Sequence, residues 1–197
     1  MTFRLGLTGS IGMGKSTTAK LFAEEGCAVW DADAAVHRLY STGGAAVGPM
    51  GKAFSDAIED GTVSRARLKD IIGQSPDALK RIEAIVHPLV TQDRQAFFEQ
   101  TEADITVFDI PLLFETGGDT AMDAVVCVTA PPDIQRERVL QRGTMTEAQF
   151  NAIVEKQMPD AEKRRRSDFV IVTDTVEHAR QQVQYVIRQI RDRQDHA

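Results

Sequence analysis

The chain has 197 residues, 42% hydrophobic and 26% charged, enough to bury the core of one globular body with inserted elements. Its formal net charge of −6 speaks against a nucleic-acid-binding body, because neutralising a phosphate backbone takes a basic excess. No apolar run approaches the ~20 residues of a membrane span. Met1-Thr2-Phe3-Arg4 leads straight into apolar sequence without room for a targeting segment, so a cytoplasmic protein with no membrane partner is expected.

The first apolar run, Phe3 to Leu7, reads as a buried strand, and Thr17 to Glu25 has helical composition. Between them, Gly9-Ser10-Ile11-Gly12-Met13-Gly14-Lys15-Ser16 fits the pattern G-x-x-x-x-G-K-[ST] in its required strand-loop-helix setting. The glycines let the backbone wrap a triphosphate so that successive N–H groups and a helix N-terminus point at the anion. Lys15 then reaches the β- and γ-phosphates, Ser16 ligates magnesium, and Gly9, Gly12, Met13, Gly14 and Thr17 complete the expected ATP-binding loop.

Further strand-like runs occur at Cys27 to Trp30, Ile105 to Ile110, Ala124 to Thr129 and Phe169 to Val172, mostly separated by helical stretches. The pattern predicts an α/β fold, a parallel five-stranded sheet flanked by helices. Cys27 and Cys127 fall within apolar runs and are expected as buried free thiols. From Ala34 to Thr101 no strand is evident; Leu79, Ile82, Val86, Leu89 and Val90 recur at helical spacing, and the segment reads as a helical insertion. Its longest helix is expected to start at Ser75-Pro76 and to bend at Pro88. A second insertion, Thr146 to Met158, offers a Thr146/Gln149 capping box and a shared face of Phe150, Ile153, Val154 and Gln157. Lys163-Arg164-Arg165-Arg166 follows, read either as a solvated helix face or as mobile cations for a triphosphate. Asp174 and Glu177 are expected to cap a last helix whose Ala179, Val183, Val186, Ile187 and Ile190 face the core.

Over nearly its whole length the sequence resembles the dephospho-CoA kinases. Besides the loop, the resemblance rests on Trp30-Asp31-Ala32-Asp33, on Gly61 to Leu68 with Arg65, and on Ile85-Val86-His87-Pro88-Leu89-Val90. It also rests on Pro111-Leu112-Leu113-Phe114-Glu115 and on a lid with Arg142, Gln157 and Lys163. It implies ATP-dependent phosphorylation of the ribose 3′-hydroxyl of dephospho-CoA, with Mg²⁺, giving coenzyme A and ADP. It also implies a nucleotide-binding core of residues 1–33, 102–141 and 167–197, an acceptor-binding insertion of 34–101 and a lid of 142–166, in a chain expected to be a monomer.

Asp33 stands just past a strand end, where open α/β sheets hold ligands, and Asp equally fills a helix N-cap. The resemblance makes it the base that accepts the hydroxyl proton, with Lys15 and Arg142 as the other catalytic residues. Asp31 ranks lower, for magnesium or the fold. Arg65 can make bidentate bonds to acceptor phosphates or be an exposed helix-start arginine. His87 has either a substrate-side role or a place in the core. Leu113 and Glu115 are expected in a wall of the acceptor pocket, whose apolar members can equally be core. Asp109, an acid ending an apolar strand, can orient magnesium.

Arg138 and Arg142 share a helix face leading into the lid, where cations can stabilise charge on the transferring group. Arg138 serves the ATP site or an exposed salt-bridging face. Two departures from the family pattern stand out. Gly143 takes the place of a common aspartate, which bears on lid hinging. Thr173-Asp174 replaces a common asparagine, which bears on contacts to the base. A kinase for another small acceptor would share loop, lid and fold. A nucleotide-gated switch of the GTPase type would carry Asn-Lys-x-Asp and Asp-x-x-Gly, and neither is present.

Overall fold

Short continuous apolar runs become strands, and the amphipathic stretches between them become helices. In chain order the elements are β1 (Phe3–Thr8), α1 (Lys15–Glu24), β2 (Ala28–Asp31), α2 (Ala32–Tyr40), α3 (Val47–Ala53), β3 (Ile58–Glu59), β4 (Thr62–Val63), α4 (Arg65–Gln74) and α5 (Ala78–Gln100). They continue with β5 (Ile105–Asp109), β6 (Ala124–Thr129), α6 (Pro132–Gln141), α7 (Glu147–Lys156), α8 (Asp160–Arg166), β7 (Phe169–Val172) and α9 (Val176–Asp195). The computed structural model describes residues 2–196, which fall into two units, 2–30 with 102–196, and Asp31–Thr101. No described helix is long and apolar enough to cross a membrane.

The first unit is built on a five-stranded parallel sheet in the order β2-β5-β1-β6-β7. β1 is central, with Leu5 beside Val107 on one flank and Ala124 on the other. Every residue of β5 and β6 is buried, as strands covered on both faces must be. Gly6 has a packing reason: a Cβ there would lie 2.7 Å from Leu113 Cδ2, so only glycine lets that leucine sit on the sheet. α9 lays Ala179, Val183, Val186, Ile187 and Ile190 into the core as its spacing predicts, each large side chain contributing about 1.5–3 kcal/mol of burial. Its N-cap is Thr175, whose hydroxyl accepts the His178 N–H at 3.1 Å, and not Asp174. Asp174 instead accepts the Thr175 N–H and pairs with His178, and the His178 contact followed by that N–H holds its carboxyl below the usual range. Cys27 and Cys127 are buried free thiols, and burial pushes each up to about 12.

The second unit packs α2, α3, α4 and α5 around Leu39, Met50, Leu68, Ile82 and Val86. It is not wholly helical. β3 and β4 form an antiparallel hairpin, Ile58 opposite Val63, turned through Asp60 (φ 48°) and Gly61 (φ 74°). Two consecutive positive φ values make a type I′ turn, and Asp-Gly between apolar residues is its sequence signature. Strands of two residues are too short for an alternation pattern to show, which is why the composition reads as helical throughout. α5 starts at Ala78, after the Ser75-Pro76 pair, and contains Pro88.

The phosphate-loop pattern is packed on its neighbours by shape. Gly12 has φ 76°, and a Cβ there would meet Val139 Cγ2 at 2.5 Å and the Gln135 carbonyl at 3.0 Å. Gly12→Ala is expected to lower the unfolding free energy by about 2–4 kcal/mol, read by urea denaturation. Wild-type stability in that variant would contradict the close seating of the loop on α6.

Candidate active site

The loop between β1 and α1 stands at the C-terminal edge of the sheet, the edge where open α/β folds bind ligands. Gly14 (φ 87°) is the N-cap of α1 and has no side chain to satisfy the helix's first N–H groups, so those donors remain for an anion. Lys15 enters from the first turn and its Nζ meets the carboxylate of Asp109 at the end of β5. Their side chains are 15% and 1% exposed, so this pair is screened little by water. Ser16 and Thr17 are exposed beside it.

A cavity of about 420 Å³ opens next to the loop, lined by Gly14, Thr17, Thr18, Arg138, Arg142, Thr173, Val176 and Ala179 among others. It brings together three residues expected at the ATP site, Gly14, Thr17 and Arg138, with Arg142, expected as catalytic. Arg138 is not a salt-bridging surface residue. It is half-buried, and its guanidinium donates to the hydroxyl of Thr173 at 3.0 Å and to the Thr173 carbonyl. Thr173 is a site residue whose identity sequence reasoning treated only as a departure. Its hydroxyl donates to the Met13 carbonyl at 2.7 Å, tying the loop to the end of β7. Met13 is itself buried, with its sulfur accepting the Ala130 N–H at 3.1 Å. The other departure also has a local reason: Gly143 adopts φ 64° right after the Arg142 C-cap, the left-handed stop that glycine makes easily.

The segment expected as a lid, residues 142–166, is anchored to the segment after β5 by a buried cation. Lys163 is fully buried; its Nζ pairs with Glu115 at 2.9 Å and donates to the Pro111 carbonyl at 3.2 Å. Glu115 also accepts the Met158 N–H at 2.9 Å. Partial burial raises the Glu115 carboxyl, but the Lys163 hydrogen bond and the Met158 N–H outweigh it and hold the group below its usual range. Leu113 is fully buried, in a cluster with Phe114 and Val125, so its side chain packs inside the first unit. Within the basic run Lys163 alone is buried; Arg164, Arg165 and Arg166 are exposed, as the solvated-face reading has it, and pair with Asp160, Glu162 and Asp119. The capping box at Thr146 and Gln149 forms as expected. The face expected on α7 does not hold together, because Phe150 is buried, Val154 is exposed, and Gln157 leaves the helix to accept the Ile11 N–H.

In the second unit, Asp33 lies in the first turn of α2 and is exposed. The N-cap task belongs to Asp31, whose carboxylate accepts the Ala34 N–H at 2.9 Å, so Asp33 is not needed for capping. Arg65 is at the start of α4, its guanidinium 6.0 Å from the centre of the Tyr40 ring. His87 is exposed on α5, which removes the core-histidine reading.

The Glu115 assignment makes a pH prediction. A carboxyl depressed by folding adds stability above its unfolded pKa of ~4.3 and loses it as pH falls through the lower folded value. The stability gap between wild type and Glu115→Gln should be full near neutrality and shrink below about pH 4, measured by denaturant unfolding across pH. A gap that does not change with pH would contradict the Glu115–Lys163 assignment. Lys163→Met, which leaves a buried carboxylate without its cation, is expected to cost about 3–5 kcal/mol.

Three comparisons bear on this arrangement. The profile of the dephospho-CoA kinase family matches residues 3–178. A dephospho-CoA kinase from Ruegeria pomeroyi is 70% identical over 197 residues, all of both chains. Among solved structures, that of TT1252 from Thermus thermophilus superposes with a TM-score of 0.85 at 29% identity, over 95% of this chain and 97% of that one. A dephospho-CoA kinase from Campylobacter jejuni shares the fold, with a TM-score of 0.71 at 24% identity over 96% and 98% of the two chains. Because the family profile spans most of the sequence and a relative matches it from end to end, the chain belongs to the dephospho-CoA kinase family.

Proposed function

We propose that this protein transfers the γ-phosphoryl group of ATP to the ribose 3′-hydroxyl of dephospho-CoA, giving coenzyme A and ADP. The observation that carries this reading is the Lys15–Asp109 pair at the sheet's C-terminal edge, with an open glycine loop before it and a base-sized cavity beside it, in a chain of this family.

Phosphoryl transfer proceeds through a loose transition state, so positioning and charge stabilisation dominate. The cavity against Gly14, Thr17 and Thr173 takes the nucleoside end of ATP, and the phosphates run from there across the N–H groups at the start of α1. Lys15 turns from Asp109 to the β- and γ-phosphates. Arg142, exposed on the cavity's rim, neutralises charge developing on the transferring group. Asp33 accepts the proton of the attacking hydroxyl, and Arg65 and His87 serve the acceptor. Domain roles follow the same division: residues 34–101 receive the acceptor, and 142–166 close over ATP.

Magnesium accompanies ATP in this scheme. Such a site takes one or two protein oxygens plus substrate phosphates, and the Ser16 hydroxyl with the Asp109 carboxylate fits that need once Lys15 has moved. When bound, the ion supplies charge neutralisation on the triphosphate. The protein is taken to act in the cytoplasm as a monomer, with ATP and dephospho-CoA as its partners and no nucleic acid or membrane partner.

Asp33→Asn should lower turnover by ~10²–10⁴ while leaving ATP affinity nearly unchanged, measured by steady-state kinetics and calorimetry. Near-normal turnover would remove the base assignment. Lys15→Ala should lose measurable transfer. Phosphorus NMR of the wild-type product should place the new phosphate on the 3′ position; a phosphate elsewhere on dephospho-CoA, or transfer only to a nucleoside, would overturn the acceptor assignment.

A further inference from the structure

Ile11 sits mid-loop, and two glutamines from different helical segments address its backbone. The side-chain carbonyl of Gln157 accepts the Ile11 N–H at 3.2 Å, and the side-chain amide of Gln135 donates to the Ile11 carbonyl at 2.8 Å. Both Ile11 backbone groups are thereby satisfied away from any anion, unlike the free N–H groups at the start of α1. Because Ile11 presents a donor, the Gln157 atom facing it must be the carbonyl oxygen, which leaves the Gln157 amide N–H groups as donors. That amide makes no hydrogen bond with another described residue.

Its place in the fold sets what it can reach. Gln157 holds the loop after β1, and the next residue, Met158, donates to Glu115 in the segment after β5. Residues 157 and 158 therefore bridge the two loops that flank the Lys15–Asp109 pair. The nucleoside cavity lies on the Gly14–Thr17 side of the loop, so a phosphate chain entering from it reaches the Ile11 side last. We infer that Gln157 is a binding residue for the terminal phosphate of the nucleoside triphosphate: its carbonyl is anchored on the Ile11 N–H and its amide donates to a γ-phosphate oxygen, with Gln135 holding the loop in register. The inference rests on the nucleotide-binding part of the proposed function and names a contact that distinguishes triphosphate from diphosphate.

The test uses the full chain and calorimetric titration with Mg-ADP and with the magnesium complex of a non-hydrolysable β,γ-imido ATP analogue. Gln157→Met is expected to weaken the analogue by about tenfold or more and ADP by less than about threefold. Gln157→Glu keeps an acceptor for the Ile11 N–H, so its ligand-free melting temperature should match wild type while its loss for the analogue exceeds that of the methionine variant. If ADP and the analogue weaken by the same factor, or neither weakens, the terminal-phosphate contact is wrong. Should Gln157→Met fail to fold, the glutamate variant carries the same comparison. Wild-type transfer to dephospho-CoA is measured in parallel: failure there removes the acceptor assignment and leaves the binding result intact, since that titration needs no acceptor.

Discussion

Lys15 and Asp109 meet at the C-terminal edge of the sheet, one from the first turn of α1 and the other from the last residue of β5. Holding two opposite charges there, with the carboxylate almost wholly out of water, requires that the two strands end together and that the chain between β1 and α1 turn tightly. The register meets the first requirement, with Leu7 beside Asp109. Glycine meets the second at Gly12 and Gly14, where φ is positive and a side chain would strike Val139 or Thr173. A buried ion pair is weak as a source of stability, because desolvation offsets much of the attraction. Its value in the proposed reaction is positional: it holds the loop lysine at the edge of the sheet where that reaction needs a cation.

The contact between α8 and the segment after β5 repeats this logic with the signs on other elements. Lys163 is an ammonium group with no exposure, tolerated because Glu115 and the Pro111 carbonyl surround it. The contact fixes the segment after β5, and through Met158 and Gln157 it reaches the phosphate loop itself. Arg138 does the same from α6 by holding Thr173, which in turn holds Met13. Thr173, Gln135 and Gln157 thus tie the loop to the end of β7, to α6 and to the end of α7. A site that relies on positioning for its rate needs such rigid support.

Much of this was legible in the sequence, and the reasons are specific. The five apolar runs and the loop pattern are local signals, each carried by consecutive residues, so strand order aside they pointed directly to the fold. The stripe on α9 and the capping box at Thr146 are equally local. What the sequence concealed depends on partners distant in the chain. Nothing near Lys163 announces that Glu115 will neutralise it, and an Arg-rich run on its own looks solvated. Thr173 reads only as a departure from the family pattern until Arg138 and Met13 are placed beside it. Gln157 fell in phase with an apolar face, yet its carboxamide is needed by a backbone N–H far away in sequence. The hairpin at Asp60-Gly61 stayed hidden because its two-residue strands are too short to show a period.

The central claim is that nucleotide binding here serves transfer to an acceptor. The most direct measurement is the steady-state rate of ADP release by the wild-type chain at saturating Mg-ATP, with and without dephospho-CoA, with coenzyme A counted in the same samples. The account predicts that ADP release depends on dephospho-CoA and that each ADP is matched by one coenzyme A. ADP release at the same rate with and without dephospho-CoA would contradict it and assign the loop to hydrolysis or switching.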